Sequence, residues 1–478
     1  MSRALLLMVG LTALGLALRL VALDAESAWT DEMYSLHMAR APLEDLLSGA
    51  SRDRGNPSGY YLVLHAWLRL FGDDVPTARA LSAFGGALAV PLTALLARRL
   101  GLASTVALAA AAIVAVSPPL VYLGREARAF ALVSSLVVVH LLCALSARST
   151  NRWRSWLAYG ASAAALLYLH YFSAFVVLAL GLWLVSAVWP SPAARVRLAV
   201  AAAVAVALFA PYLGTLAWQL GGDVVHNDSS WKHAAFWPAF ALVGHTLTWI
   251  DEGAAWVAAT WALAVALVWL PVGWLVARDR ASRIALAPVL AVGFGAPLLG
   301  AAFVLVTPLF NGRYAAICLP AAAIVIACAL ASAQADADRA PRARLVARVA
   351  ALALSGLVVA SLVRLYGGGF KDDWRAVARA LGPSPVVYAL PAEAARALRF
   401  YRPEVRVDVL DPKTLTAEAL RLRLRADGGI AWLVVHAADP RVAEAPERAL
   451  AALPSEVVRA RVIDRRRLRV VRLALDAP

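Results

Sequence analysis

The sequence predicts an all-α polytopic membrane protein of about eleven transmembrane helices, followed by a small C-terminal α/β domain. Of 478 residues, 62% are hydrophobic and 16% charged, against roughly a quarter charged in a soluble domain. The apolar residues fall into runs of roughly 20, the length that crosses a ~30 Å hydrocarbon core, whereas a large soluble core would show shorter, interrupted stripes. The composition also changes abruptly after Gly367-Gly368-Gly369, from apolar runs to short alternating strands and helices.

The runs place spans at 4–23, 79–97, 102–121, 129–147, 155–170, 172–190, 198–217, 254–277, 284–306, 314–333 and 344–363. Loops carrying Arg98-Arg99, Arg148/Arg152/Arg154, Arg195/Arg197, Arg278/Arg280/Arg283 and Arg339/Arg342/Arg344/Arg348 should be cytoplasmic by the positive-inside rule. With a cytoplasmic N-terminus, these spans put all of them on one side. Residues 156–189 are almost continuously apolar between two basic loops, so parity makes them a hairpin bending near His170-Tyr171-Phe172-Ser173. Counting 234–250 as a span would break the alternation, so it is read as an interfacial or re-entrant helix.

The far side then receives 24–78, the segment around 119–128, 217–253, 307–313 and everything after 364. In the last part Val386-Val387-Tyr388, Val405-Arg406-Val407, Trp432-Leu433-Val434-Val435 and Val470-Val471 read as strands, with helices at 393–401 and 416–425. It contains neither GxGxxG nor a P-loop. The expected domains are 1–364, the membrane part with its outer loop 24–78, and 365–478, an extracytoplasmic α/β domain.

The net charge of +15 resides mainly in arginines between apolar runs and in the last hundred or so residues. That is an orientation signal, not a nucleic-acid footprint. Cys143, Cys318 and Cys328 lie inside apolar runs without paired spacing, which supports neither a zinc site nor a disulfide framework. The first run has the position of a signal peptide, but many spans follow and Arg19 interrupts its end, so a retained helix is expected.

Ionisable residues beside a membrane are costly and mark candidate sites. Asp31 and Glu32, just beyond the first span, should raise one another's pKa, which suits a general base acting on a hydroxyl. Their alternative is a plain helix start with Thr30 as N-cap. Asn56-Pro57-Ser58-Gly59-Tyr60-Tyr61, preceded by Arg52, Asp53 and Arg54 and followed by His65, Trp67 and Arg69, suits an interfacial helix or the lining of a sugar or acceptor site. Tyr122 precedes Arg125-Glu126-Ala127-Arg128. Three apart, the two arginines would share a helical face and clamp a phosphate, or pair internally with Glu126 or with Asp31 and Glu32. Arg313-Tyr314 puts another arginine on the unexpected side, as phosphate ligand or interfacial anchor. His170 and Tyr171 at the hairpin bend are weaker candidates.

In this order, the chain resembles the GT-C membrane glycosyltransferases, in particular the dolichyl-phosphate-mannose protein mannosyltransferases and bacterial aminoarabinose-transferase-like proteins. The resemblance is carried by Asp31-Glu32, the N-P-x-x-Y-Y stretch leading to Leu64-His65-Ala66-Trp67, Arg79-Ala80-Leu81-Ser82, Arg125-Glu126-Ala127-Arg128, Leu169-His170-Tyr171-Phe172, Arg313-Tyr314 and Lys371-Asp372-Asp373-Trp374-Arg375, over residues 1–380. Where many relatives have Pro-Pro this chain has Pro57-Ser58, and Asn56 replaces a nearby basic residue.

The resemblance implies a GT-C-like fold in a bacterial inner membrane and a polyprenyl-phosphate sugar as donor. It implies an inverting transfer of a hexose or pentose to a hydroxyl of a lipid, glycan or protein on the extracytoplasmic face. Asp31 would be the catalytic carboxylate, with Glu32 beside it. Arg125, Arg128, Tyr122, Arg313, Tyr314, His170, Tyr171, Arg54, Asn56 and Tyr60 would hold the donor phosphate and sugar. No cofactor or metal is required, although Asp31 and Glu32 could bind a divalent ion weakly. Expected partners are the bilayer, the lipid-linked sugar and the acceptor, with no nucleic acid. The rival class is a polyprenyl-lipid or glycan transporter or flippase, which should show two related halves with interrupted helices. No such repeat is visible. A relative that only binds polyprenyl phosphate is the third possibility.

Overall fold

A computed structural model describes residues 2–48, 53, 55–221, 230–244, 259, 262–263, 265–278, 280–307, 310–337, 341–369, 371–381, 386–436, 440–455, 457–465 and 468–475. The chain forms two compact units. The first comprises Met1–Leu23 and Ser35–Gly367, the second Asp24–Tyr34 and Gly368–Pro478.

The first unit is helical. Six of its described helices are long and apolar enough to cross a membrane: α1 (Arg3–Leu20), α5 (Val75–Arg99), α8 (Phe130–Thr150), Pro192–Leu220, Arg280–Leu305 and Gly312–Ala335. Shorter apolar helices include α6 (Ser104–Val116), α10 (Ser173–Val188) and Ala351–Tyr366. Leu5, Leu6, Leu7 and Val9 on α1 are exposed, an apolar surface suited to lipid. The stretch between α1 and α5 contains α2 (Thr30–Arg40), α3 (Leu43–Ser48) and α4 (Gly59–Phe71). Between α9 (Trp153–Leu169) and α10 the chain turns at 170–172, closed by Ser173 N–H on the His170 carbonyl at 3.0 Å. The segment 234–250 is described only to Gly244, as part of helix Ser230–Val243. The span at 254–277 is described over 265–278, and much of its first half lies outside the described residues.

The expected span 102–121 is not one helix. It breaks after Val116, and α7 (Pro118–Leu123) starts anew. Pro118 and Pro119 have no N–H to give to the carbonyls of Val114 and Ala115 four residues back. In a dry environment such carbonyls need other donors. Arg19, fully buried, supplies them: Nη2 donates to Val114 O at 3.2 Å, and Nη1 to Ala115 O at 3.2 Å and Gly15 O at 2.7 Å. Gly124 makes room, since a Cβ there would lie 2.8 Å from Arg19 Cδ.

The second unit contains a five-stranded sheet of order β2-β1-β3-β5-β4. The strands are β1 (Val386–Leu390), β2 (Arg406–Val409), β3 (Ile430–His436), β4 (Val457–Arg465) and β5 (Leu468–Leu475). β1 runs parallel to β2 and β3, while β5 is antiparallel to β3 and β4. Tyr388, Leu390, Leu420, Leu424, Leu433 and Leu473 lie in its core. Strand β4 is absent from the sequence reading because its register shifts between Arg461 and Ile463, which spoils the two-residue alternation that marks a strand.

The proline break yields a prediction. Arg19→Met should destabilise the protein by about 3 kcal/mol or more, because two buried carbonyls lose charged donors. Adding Pro118→Ala and Pro119→Ala restores the missing N–H groups and should recover part of the loss. Thermal unfolding of the detergent-solubilised variants checks this. No recovery in the triple variant would show that Arg19 does not compensate for the prolines.

Candidate active site

In the first unit, a narrow cleft forms where several helices begin or end. Its lining includes Asn56 and Tyr60 at the start of α4, Arg128, Ala129 and Phe130 at the start of α8, and His170 after α9. The N-terminus of α4 lies against the backbone of α9: a Cβ on Gly59 would stand 2.4 Å from the Tyr168 carbonyl, so only glycine fits there.

The turn before α4 is built on Asp53. One carboxylate oxygen accepts Gly55 N–H at 2.7 Å, and the other accepts the Asn56 amide at 2.8 Å and the Tyr61 hydroxyl. Gln219 donates its amide to the carbonyls of Asp53 and Asn56, and Tyr171 donates its hydroxyl to Gln219. Tyr171 therefore supports this turn through Gln219. Gln219 was not singled out in the sequence; the only signal it offered was a polar residue at the end of an apolar run. Asn56, held this way, presents Oδ1 to Arg128 Nη2 at 3.4 Å.

Two guanidiniums gather on one aromatic ring. Those of Arg128 and Arg313 lie 5.9 and 5.7 Å from the centre of Phe130, and Tyr314 stacks on the same ring at 5.9 Å. Arg313 sits in the first turn of Gly312–Ala315, where Asn311 accepts its N–H at 3.1 Å. His170 lies 4.9 Å from Phe130 and 5.1 Å from Tyr314, ring to ring. Burial, then the charges of Arg128 and Arg313, push its pKa down to about 3. Its Nδ1 accepts Phe172 N–H at 3.1 Å. At neutral pH His170 is thus an uncharged ring, and the positive charge of this group comes from the arginines.

The expected clamp of Arg125 and Arg128 on one helical face does not form. Helix α7 ends at Leu123 and α8 begins at Phe130, with turn and bend between them. Arg125 donates to the carbonyls of Val21 and Ala22 just beyond α1 and stacks on Tyr366 at 4.6 Å. A cation that completes the unsatisfied end of a helix is favourable without any ligand. Arg79, which donates to Leu23 O, and Tyr366, which donates to Leu18 O, act at the same end. Tyr122 belongs to α7. Arg54 lies outside the described residues.

In the second unit, Asp31 and Glu32 stand in the first turn of α2. The helix cap is Trp29, not Thr30: its carbonyl accepts the N–H groups of Glu32 and Met33, and its own N–H goes to Glu32 Oε2 at 3.3 Å, one half of a capping box. The two acids do not form an isolated like-charged pair. Glu32 is fully buried and bonded at 2.9 Å to Lys371, whose side chain is 6% exposed. Asp31 is half-buried. Segment 24–34 is tied to the residues after 368 by further bonds: Ser27 Oγ to Asp373 at 3.2 Å, Ala28 N–H to the Tyr401 hydroxyl at 2.7 Å, and an Arg375–Asp24 ion pair. Among the described residues no three His, Cys, Asp or Glu side chains gather as metal ligands.

Residues 56–215 match the family described as dolichyl-phosphate-mannose-protein mannosyltransferase. No curated protein matches by sequence. Among solved structures, the chain is similar to apo ArnT from Cupriavidus metallidurans, with 16% identity, 98% of each chain covered and a TM-score of 0.63. It is similar to the same protein bound to undecaprenyl phosphate, with 16% identity, 97% coverage of each chain and a TM-score of 0.58. The Archaeoglobus fulgidus oligosaccharyltransferase in its apo form aligns at 11% identity, over 91% of this chain and 69% of the other, with a TM-score of 0.53. The protein is a multi-pass membrane protein with the GT-C fold of ArnT, and over residues 56–215 it carries the sequence pattern of the mannosyltransferase family.

Proposed function

We propose that the protein transfers a sugar from a polyprenyl-phosphate carrier to a hydroxyl acceptor at the extracytoplasmic face, with inversion at the anomeric carbon. The observation that carries this reading is the pairing of Arg128 and Arg313 around Phe130, at the starts of α8 and Gly312–Ala315. Guanidiniums and the positive ends of helices both favour a phosphate. An apolar cavity of about 500 Å³ in the same unit, lined by α6, Trp237, Trp269, Phe294, Ile326 and Leu354 among others, suits a polyprenyl chain. ArnT, which shares the fold, has been solved bound to undecaprenyl phosphate.

In this reading Asp31 takes the proton of the acceptor hydroxyl as its oxygen attacks the anomeric carbon. The bond from that carbon to the phosphate oxygen breaks, and polyprenyl phosphate leaves with the electron pair. Arg128 and Arg313 stabilise the charge that grows on it.

Three measurements test the reading. Arg128→Ala and Arg313→Ala should each weaken binding of a polyprenyl-phosphate sugar by about ten- to a hundredfold, the loss of one charge-assisted bond. Arg125→Ala should lower thermal stability and leave that affinity near wild type. Equal affinity losses in all three variants would return Arg125 to the phosphate site.

Asp31→Asn keeps size and hydrogen bonding but cannot take the proton. Turnover should fall by about 10²–10⁴-fold with donor binding retained. Full activity would remove Asp31 as base, and donor binding without transfer in the wild type would favour a transporter or a binding protein.

Orientation is checked by labelling. In a variant lacking the native cysteines, Lys413→Cys should react with an impermeant thiol reagent in intact spheroplasts, and Ser149→Cys only after lysis. The opposite pattern would invert the proposed topology.

A further inference from the structure

The K-D-D-W-R stretch at 371–375 belongs to the second unit, and the reaction proposed above assigns it no part. Its lysine is nevertheless among the most buried cations of the second unit. Lys371 Nζ bonds Glu32 Oε2 at 2.9 Å, with side chains 6% and 0% exposed. A buried carboxylate is tolerated when paired, and removing one partner of such a pair is far more disruptive than neutralising both. The same Glu32 oxygen accepts Trp29 N–H. One atom thus joins the start of α2 to the chain that enters the C-terminal domain, one residue away from Asp31.

We propose that Lys371 is a positioning residue for Asp31. It balances the charge of Glu32 and fixes the first turn of α2, which makes the C-terminal domain part of the catalytic apparatus. The proposal rests on Asp31 as the base of the reaction above. Neighbouring bonds hold the same junction. Asp373 accepts Ser27 Oγ and Ala376 N–H, and Arg375 pairs with Asp24. Asp372 is bonded to His436 Nε2 at 2.8 Å, and the His436 ring lies 5.5 Å from Trp374. Among the described residues, the titratable groups near Glu32 include Asp31 and Lys371, with Asp24, Glu26, Asp372, Asp373, Arg375 and His436 on the surrounding segments.

Removing the lysine takes a cation away from two adjacent carboxylates. Lost positive charge disfavours their ionised forms, and the two then titrate as a coupled pair. The sign follows. A base needed as carboxylate gains a higher pKa, so the acid limb of the pH–rate profile moves to higher pH.

The test compares Lys371→Met, Lys371→Arg and the double variant Glu32→Gln/Lys371→Met in the full-length protein. Lys371→Met should lower kcat about ten- to a hundredfold, leave the KM for a polyprenyl-phosphate sugar within about twofold, and shift the acid limb upward by roughly a unit or more. The arginine variant should retain most of kcat. The double variant removes both charges and should return the limb toward wild type. Wild-type kcat in Lys371→Met, or a loss with an unmoved limb that the double variant fails to reverse, overturns the proposal. Hydrogen exchange over residues 24–34 provides a readout independent of transfer. Lys371→Met should speed it and the double variant should restore protection, while unchanged exchange also overturns the proposal. If wild-type protein transfers no sugar yet exchange behaves as stated, the proposed reaction fails and the role of Lys371 in holding this turn stands.

Discussion

The architecture of the first unit depends on one constraint: a backbone carbonyl released from its helix in a dry environment must find another donor. The C-terminal end of α1 and the proline break between α6 and α7 concentrate such carbonyls. Arg19 serves the break, Arg79 and Arg125 serve the chain just beyond α1, and the Tyr366 hydroxyl reaches Leu18. These contacts join α1, α5, α6 and the turn before α8. They also give these arginines a structural task that does not depend on membrane orientation. A guanidinium delivers several donors in a fixed plane, which suits carbonyls that no single N–H can reach.

That constraint sorts the arginines by task. Arg125 is committed to backbone, and Arg128, three residues on, faces Asn56 and Phe130. Its partner across the aromatic ring is Arg313, from a distant part of the chain. His170 between them stays neutral because burial and both arginines disfavour its charged form. In the proposed reading a phosphate meets guanidiniums, helix starts and an uncharged imidazole, a set that favours an anion.

Segment 24–34 has a different allegiance from the rest of the stretch between α1 and α5. It belongs to the compact unit of the C-terminal domain, through Lys371, Asp373, Arg375 and Tyr401. Helix α2 is divided, with its first turn in one unit and the remainder in the other. A carboxylate at that division inherits its electrostatic setting from residues some 340 positions later, as the Glu32–Lys371 separation of 339 illustrates.

Much of the fold was legible in the chain itself. Apolar runs of helical length, loop arginines and the change after Gly369 specify a helical membrane part followed by an α/β domain, because span length and hydropathy are set locally by the bilayer. Strands β1, β2, β3 and β5 were visible for the same local reason, and β4 was hidden by its bulge. Candidate residues were legible as types: acids beyond the first span, arginines beside helix ends, aromatic residues at a turn. Their partners were not. Spacing placed Arg125 with Arg128 and Glu32 with Asp31, since neighbours in sequence are all that spacing can pair. Tertiary packing gave Arg125 to α1, Arg128 a companion in Arg313, and Glu32 a counter-ion in Lys371. The choice depends on which carbonyl or carboxylate is left without a donor once the helices have met, a quantity that exists only in three dimensions.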